Sequence, residues 1–253
     1  MTSSSPVLAT RNLGLDIGGA TIVADVSLEV PEGEFLGIIG PNGAGKTSLF
    51  NLLSGLYRPT AGTIELDGRE IQQQAPHSRT QAGLGRTFQI SSVFPRLSAL
   101  ENVRLAAEAS IGGTFRVWRR AGWVRQALER ARWALERVGL AARERAPAGA
   151  LAHGDKRKLE LAMLLAGDPR VVMLDEPMAG VSMEEIPGLV DVIQAVHRDE
   201  GKTVLMVEHH IDVVTGVAER IAVMHHGRLL ACDTPERVMA NAEVQEAYVG
   251  EPL

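Results

Sequence analysis

Phe35-Leu36-Gly37-Ile38-Ile39-Gly40-Pro41-Asn42-Gly43-Ala44-Gly45-Lys46-Thr47-Ser48-Leu49-Phe50-Asn51-Leu52-Leu53 is the stretch that decides the fold. Residues 35–39 form a short apolar run bounded by glycines, which reads as a buried strand, and 47–53 have helical character until Gly55 stops them. Between them, Gly40 to Thr47 match the eight-residue phosphate-loop pattern. Strand, glycine-rich loop and helix stand in the order a phosphate site requires. Glycines let successive backbone N–H groups turn inward around phosphate oxygens, and the positive end of the helix adds to them. Lys46 is placed to reach the β and γ phosphates and Thr47 to hold Mg²⁺. The expected nucleotide-binding set is therefore Gly40, Pro41, Asn42, Gly43, Ala44, Gly45, Lys46, Thr47 and Ser48. A glycine-rich turn with a merely solvated lysine is the competing reading, and the full motif in its expected setting argues against it.

Around this centre the chain reads as α/β. Residues 7–30 are rich in Leu, Val, Ile and Thr and are punctuated by Gly18-Gly19, so antiparallel strands are predicted; Gly62 to Gly68 alternates and ends in Asp-Gly, a hairpin signal. Between Leu100 and Leu140 the period becomes helical, with Val124, Leu128, Ala131, Leu135 and Val138 on one face and Gly139 as a stop. Residues 99–166 are thus expected to be a helical insertion, jointed at Gly112-Gly113, within one unit spanning 7–250. Parallel-sheet character returns at 171–174 and 203–207, separated by a helix over Met183 to Arg198. A hairpin turning at His225-His226 and a terminal helix from Pro235 to Tyr248 follow. The fold class is a P-loop core with a mostly parallel sheet, an N-terminal antiparallel β layer and an inserted α-helical subdomain.

Composition bounds the rest. The chain has 253 residues, of which 26 are basic and 31 acidic, a formal charge of −5. The single Cys232 excludes an internal disulfide framework. No apolar run approaches the roughly 18 residues that cross a bilayer, and Met1 to Pro6 lacks the charge and apolar core of a signal peptide. The cytoplasm is the default compartment. Net acidity argues against non-specific nucleic-acid binding. Trp118, Trp123 and Trp133 lie among arginines from Arg116 to Arg137. A solvated helix surface explains them most simply, ahead of contact with a membrane partner or lipid and then of base stacking.

The acids come next. Asp175-Glu176 follows the apolar run 171–174, which projects both carboxylates from a strand's carboxyl end toward the phosphate loop. Asp175 fits the Mg²⁺ and water role. Glu176 can act as general base toward water, which favours hydrolysis over transfer to an organic hydroxyl. No Asn-Lys-x-Asp stretch is present to read guanine, so ATP is the expected nucleotide.

The motifs together resemble the nucleotide-binding subunit of ATP-binding cassette transporters. The phosphate loop 40–47, Gln89 after Arg86-Thr87-Phe88, Leu151-Ala152-His153-Gly154-Asp155, the strand and acids 171–176, Ala179-Gly180-Val181-Ser182, and His209 after Val207-Glu208 fall in that family's order, over nearly the whole chain. The resemblance implies that Gln89 is a hinge linking the Mg²⁺ and water site to the helical subdomain. It implies that His209 is the switch histidine on the γ-phosphate, with His210 given only a local role. Residues Ala152, His153, Gly154 and Asp155 would meet the γ-phosphate held by a second subunit, with Ala152 where a serine is usual and His153 where a glycine is usual. Ile17, before the Gly18-Gly19 turn, occupies the place of an aromatic residue that often stacks on adenine.

Within the family, Leu151 to Glu160, Asp175 to Gly180 and Glu208 to His210 look most like the branched-chain amino acid importer type, and also like its urea and amide relatives. The implied partners are transmembrane permease subunits, a second nucleotide-binding subunit and, indirectly, an extracytoplasmic solute-binding protein, with this chain peripheral on the cytoplasmic face. Nucleic acid is not an expected partner. Two other classes stay open. A soluble cassette ATPase of nucleic acid or ribosomes would not copurify with membranes. A non-catalytic ATP-sensing module would dimerise with nucleotide without hydrolysing it.

Overall fold

A computed structural model describes residues 5–87, 93–111 and 120–248. Strands β1 (Leu8–Ile17), β2 (Ala20–Val30), β4 (Ala61–Leu66) and β5 (Arg69–Glu70) form a four-stranded antiparallel sheet in the order β2-β1-β4-β5. Asp67 and Gly68 turn β4 into β5 with φ of 51° and 69°, the left-handed pair that matches the twist of a tight hairpin. A six-stranded sheet has the order β10-β9-β3-β8-β7-β6 and contains β3 (Phe35–Ile39), β6 (Leu84–Arg86), β7 (Val171–Asp175), β8 (Thr203–Val207), β9 (Arg220–His225) and β10 (Arg228–Asp233). Its pairings are parallel except for β10 on β9.

The period of two along β3 separates two cores. Phe35 and Ile39 belong to the cluster shared with the helical insertion, whereas Leu36 and Ile38 join the cluster under the antiparallel layer. Helix α1 (Lys46–Ser54) packs Leu49, Phe50, Leu52 and Leu53 into that second cluster and ends at Gly55, φ 84°. Each such side chain contributes about 1.5–3 kcal/mol on burial, which fastens the helix behind the phosphate loop. The short α2 (Pro76–Gln81) and the three-residue β6 follow, and neither is evident from sequence periodicity.

The insertion consists of α3 (Ala99–Ile111), α4 (Arg120–Arg137) and α5 (His153–Ala166), and residues Gly112 and Gly113 lie outside the described residues. The buried face of α4 is Ala127, Ala131, Ala134, Leu135 and Val138. The expected stripe is therefore corrected at its start: Val124 is exposed and Leu128 only half-buried. Alanines replace larger side chains along this face because α4 packs closely against both α3 and α5. Trp133 is half-buried against the same core.

Helix α6 (Ile186–Glu200) begins three residues later than its sequence period suggests, with Pro187 in its first turn, where a missing N–H is harmless. After α7 (Ile211–Val217), the expected terminal helix is two, α8 (Pro235–Met239) and α9 (Ala242–Ala247). Asn241 breaks it, its side-chain oxygen accepting from Glu243 N at 2.9 Å as a new N-cap. Cys232 is partly buried, and its Sγ accepts from Arg220 Nη2 at 2.9 Å. The arginines Arg125, Arg132 and Arg137 each pair with a carboxylate, and Arg116, Trp118 and Arg119 lie outside the described residues.

Candidate functional site

Four neighbouring parallel strands, β3, β8, β7 and β6, end on one edge of the sheet. From these ends leave the phosphate loop, Glu208-His209, Glu176 and Thr87, so the topology alone gathers motifs that are far apart in sequence. Parallel strands lie about 4.8 Å apart, the scale of a triphosphate with its metal.

The phosphate loop is held from beneath. Gly227 N donates to Ala44 O at 3.0 Å, and Ala24 N donates to Gly227 O at 2.8 Å. Gly40 has φ 151°, and a Cβ there would lie 2.1 Å from the Met224 carbonyl oxygen. That is backbone and cannot swing aside, so the glycine is required by close approach. Gly43, at φ 79°, faces open space. Gly40→Ala is therefore expected to weaken ATP binding at least about tenfold by deforming the loop. Titration calorimetry reads this, and an affinity within about twofold of wild type would show that the loop tolerates the clash.

Lys46 is buried, and its Nζ donates to Gly40 O at 2.5 Å and to Pro41 O at 3.1 Å. No side chain caps α1 and its first turn has no acid, which leaves its positive end to an anion. Thr47 and Ser48 stand in that turn, half-buried. Asp175 is buried, and Arg86 Nη2 donates to its Oδ2 at 2.6 Å. Burial raises its pKa, and the guanidinium opposes the shift. Its second oxygen, Oδ1, is buried with no hydrogen-bond partner among the described residues, an orphaned hard acceptor suited to a divalent cation. An uncapped helix end, an open loop glycine and an orphaned carboxylate oxygen together fit Mg²⁺ and a nucleotide triphosphate.

Glu176 follows with φ 49°, and its N donates to Val207 O at 2.9 Å. Its Oε1 lies 3.0 Å from Nε2 of His209. An ionised carboxylate can only accept, so the Nε2–H tautomer is the one that makes this bond. Thus Glu176 and His209, 33 positions apart, meet directly. His210, also exposed, caps α7 with its backbone.

Two residues of the site escaped sequence reading. Glu208 is buried, and its carboxylate accepts from Met178 N at 2.7 Å and His209 N at 3.0 Å, tying the loop after β7 to the loop after β8. Its pKa is raised by burial, with the backbone donors opposing. Arg86 is the other, and its only sequence signal was its place just before the motif containing Gln89. Gln89 itself lies outside the described residues.

Away from this edge stands Ala152, the N-cap of α5, with no side-chain hydrogen bond. The helix begins at His153 and so includes Gly154. His153 is exposed but packs over Gly180, where a Cβ would meet its Nε2 at 2.9 Å. Gly154 is buried against the Glu185 carboxylate, and Asp155 is paired with Arg143. Segment 151–155 thus faces the loop 179–185 rather than the phosphate loop of its own chain. Ile17 is half-exposed at the tip of the β1–β2 hairpin. Farther along β2, the Ile22 carbonyl borders the phosphate loop, 3.0 Å from where a Cβ on Gly45 would stand.

The fold and this edge define a P-loop ATPase with a helical insertion. The family model for ABC transporters matches residues 23–179, and one for branched-chain amino acid ATP-binding cassette transporters matches 228–252. The high-affinity branched-chain amino acid transport ATP-binding protein LivG of Salmonella typhimurium is 39% identical, covering 98% of this chain and 99% of its own length. BraF of Pseudomonas aeruginosa, with the same description, is equally similar. The lipopolysaccharide export system ATP-binding protein LptB of Haemophilus influenzae is 34% identical over 97% of this chain and 98% of its own. Among solved structures, the ADP conformation of MJ1267, an ATP-binding cassette of an ABC transporter, superposes with a TM-score of 0.85 at 26% identity, covering 98% of this chain and 100% of that one. The chain belongs to the ABC transporter family, as an ATP-binding subunit.

Proposed function

We propose that this chain hydrolyses ATP to drive an importer of branched-chain or related amino acids. The observation that carries the reading is the convergence of Lys46, the Asp175–Arg86 pair and the Glu176–His209 pair on one sheet edge. ATP supplies a γ-phosphoryl group whose transfer to water releases the free energy used. Gly40 to Ser48 would cradle its phosphates, and Thr47, Asp175 and Gln89 would hold the Mg²⁺ that neutralises them. Glu176 takes a proton from the attacking water. His209 orients that carboxylate through Nε2–H, the donor that would turn to the γ-phosphate once ATP is bound. Ala152, His153, Gly154 and Asp155 complete the site of a second copy or a homologue, and Ile17 gives adenine an apolar face. The likeness to LivG and BraF over nearly the full chain supports amino acid as the solute class; urea or short amides are the alternatives.

Among the described residues no helix is long and apolar enough to cross a membrane. The membrane connection in this reading is a groove of about 360 Å³ between α2, β6, α3 and α5, floored by Ala106, Ala109, Met163, Leu164 and Gly167. Its small apolar floor suits a short cytoplasmic helix of a permease, which would keep this chain peripheral on the cytoplasmic face. Ala109→Glu buries an unpaired charge in that contact and is expected to lower copurification with the permease roughly tenfold, with ATP affinity unchanged. Undiminished copurification would place the permease elsewhere. The overall test is uptake in proteoliposomes containing this chain, its copurifying permeases and solute-binding protein. ATP-dependent leucine or valine uptake is expected, uptake of urea or amides alone would change the solute, and the absence of any membrane partner would overturn the reading.

A further inference from the structure

Two buried ion pairs, Arg86–Asp175 and Arg157–Glu160, share an arrangement in which the mechanism above gives a chemical role to Asp175 alone. In the first, Arg86 donates to Asp175; its Nη1 also donates to Asn51 Oδ1 and Ser54 Oγ, both at 2.8 Å. In the second, Arg157 Nη1 donates to Glu160 Oε2 at 2.9 Å, and Arg157 Nη2 donates to Ala179 O at 3.2 Å. The side chains are almost wholly enclosed, at 7% and 0% exposure for Arg86 and Asp175 and at 13% and 8% for Arg157 and Glu160.

Each pair leaves one donor and one acceptor without a partner among the described residues: Arg86 Nε with Asp175 Oδ1, and Arg157 Nε with Glu160 Oε1. An unsatisfied buried polar atom costs about 1–3 kcal/mol. Asp175 Oδ1 is answered by the cation of the proposed mechanism, which leaves Arg86 Nε, Arg157 Nε and Glu160 Oε1 without a partner among the described residues. They are also adjacent: Thr87, Arg157, Glu160 and Asp175 line one small cavity, and Arg86, Thr87 and Glu160 line the groove beside it.

We propose that Glu160 is a positioning residue that competes with Asp175 for Arg86, so that Arg86 sits on Asp175 without metal and is drawn to Glu160 when Asp175 engages a divalent cation. The inference rests on the reading of Asp175 as a metal ligand. Its physical cause is like-charge repulsion: a doubly charged ion and a guanidinium on the same buried carboxylate repel strongly where little water screens them. Glu160 Oε1 belongs to the lining that Arg86 shares and has no hydrogen-bond partner among the described residues. Once Glu160 takes Arg86, its hold on Arg157 weakens, and with it the bond from Arg157 to the Ala179 carbonyl. Metal arrival at β7 is thereby reported to α5, which carries 153–155, and to the wall of the groove.

The test is Mn²⁺ binding to the full chain, followed by electron paramagnetic resonance at saturating ATPγS. Glu160→Gln removes the competing charge and is expected to raise the Mn²⁺ midpoint about fivefold. Arg157→Gln frees Glu160 to attract Arg86 more strongly and is expected to shift the midpoint the other way, a sign that simple loosening of the core would not produce. On an Arg86→Gln background, Glu160→Gln should have no further effect. Midpoints within about twofold of wild type for both single variants, or an undiminished Glu160→Gln effect without Arg86, overturn the proposal. Should one variant not fold, the other carries the decision. Asp175→Asn separates the two readings: an Mn²⁺ midpoint within about twofold of wild type would show that Asp175 is no metal ligand, and it is then the reading beneath the proposal that fails.

Discussion

Glu176→Gln is expected to lower ATP turnover by about 10²–10⁴-fold while leaving ATP binding intact. The amide keeps the size of the carboxylate, and the backbone bond from Glu176 N to Val207 O is untouched. What disappears is the ability to accept a proton from water. The amide oxygen can still accept from His209 Nε2, so the His209 ring should keep its place. The measurement is phosphate release from the chain with its membrane partners, alongside nucleotide affinity by calorimetry. Undiminished turnover would remove Glu176 as base. Loss of binding together with turnover would instead mark the residue as part of the cradle.

Arg79→Met is expected to have the largest effect on stability. Arg79 is 1% exposed, and its guanidinium donates to Leu52 O at 2.6 Å, Leu53 O at 2.7 Å, Gln72 O at 3.1 Å and Gln74 O at 3.2 Å. Burial lowers its pKa to about 10, still far enough above neutrality for the charge to persist. Two of its acceptors close the carboxyl end of α1, the helix whose other end faces phosphate, where a cation also complements the helix dipole. Methionine fills the space but satisfies none of the four carbonyls. Leaving buried acceptors bare costs about 3 kcal/mol in total, and a chain of this size loses roughly 2–4 °C per kcal/mol, so melting should fall by about 6–12 °C. A fall of under about 2 °C in differential scanning calorimetry would mean that water reaches those carbonyls.

Arg79 also shows where sequence reading stops. In Pro76-His77-Ser78-Arg79-Thr80-Gln81 it looks like one more polar surface residue. Nothing local announces that the carbonyls it needs lie 26 and 27 positions earlier. Arg86 is hidden for the same reason: its partner Asp175 is 89 positions away, and β6 has three residues, too few for a periodic signal. By contrast the phosphate loop and the Asp175-Glu176 pair were legible because strand, turn and helix signals lie next to the chemistry they hold. The face of α4 was legible only in part. Hydrophobicity weights Val124 and Leu128 above Ala127 and Ala134, whereas close packing of three helices rewards small volume. The meeting of His209 with Glu176 depends on β8 lying beside β7, a matter of strand order that no stretch of sequence carries.

That strand order has a mechanical side. Because β3, β8, β7 and β6 are joined edge to edge by parallel pairing, none can slide past its neighbour without breaking a whole ladder of backbone bonds. The sheet is an anvil, stiff and common to every reacting group. Displacement during the catalytic cycle is left to what hangs from it: the loops beyond the strand ends, and the three-helix insertion that returns to the sheet at β7. Work drawn from the nucleotide can leave this subunit only through those hanging parts.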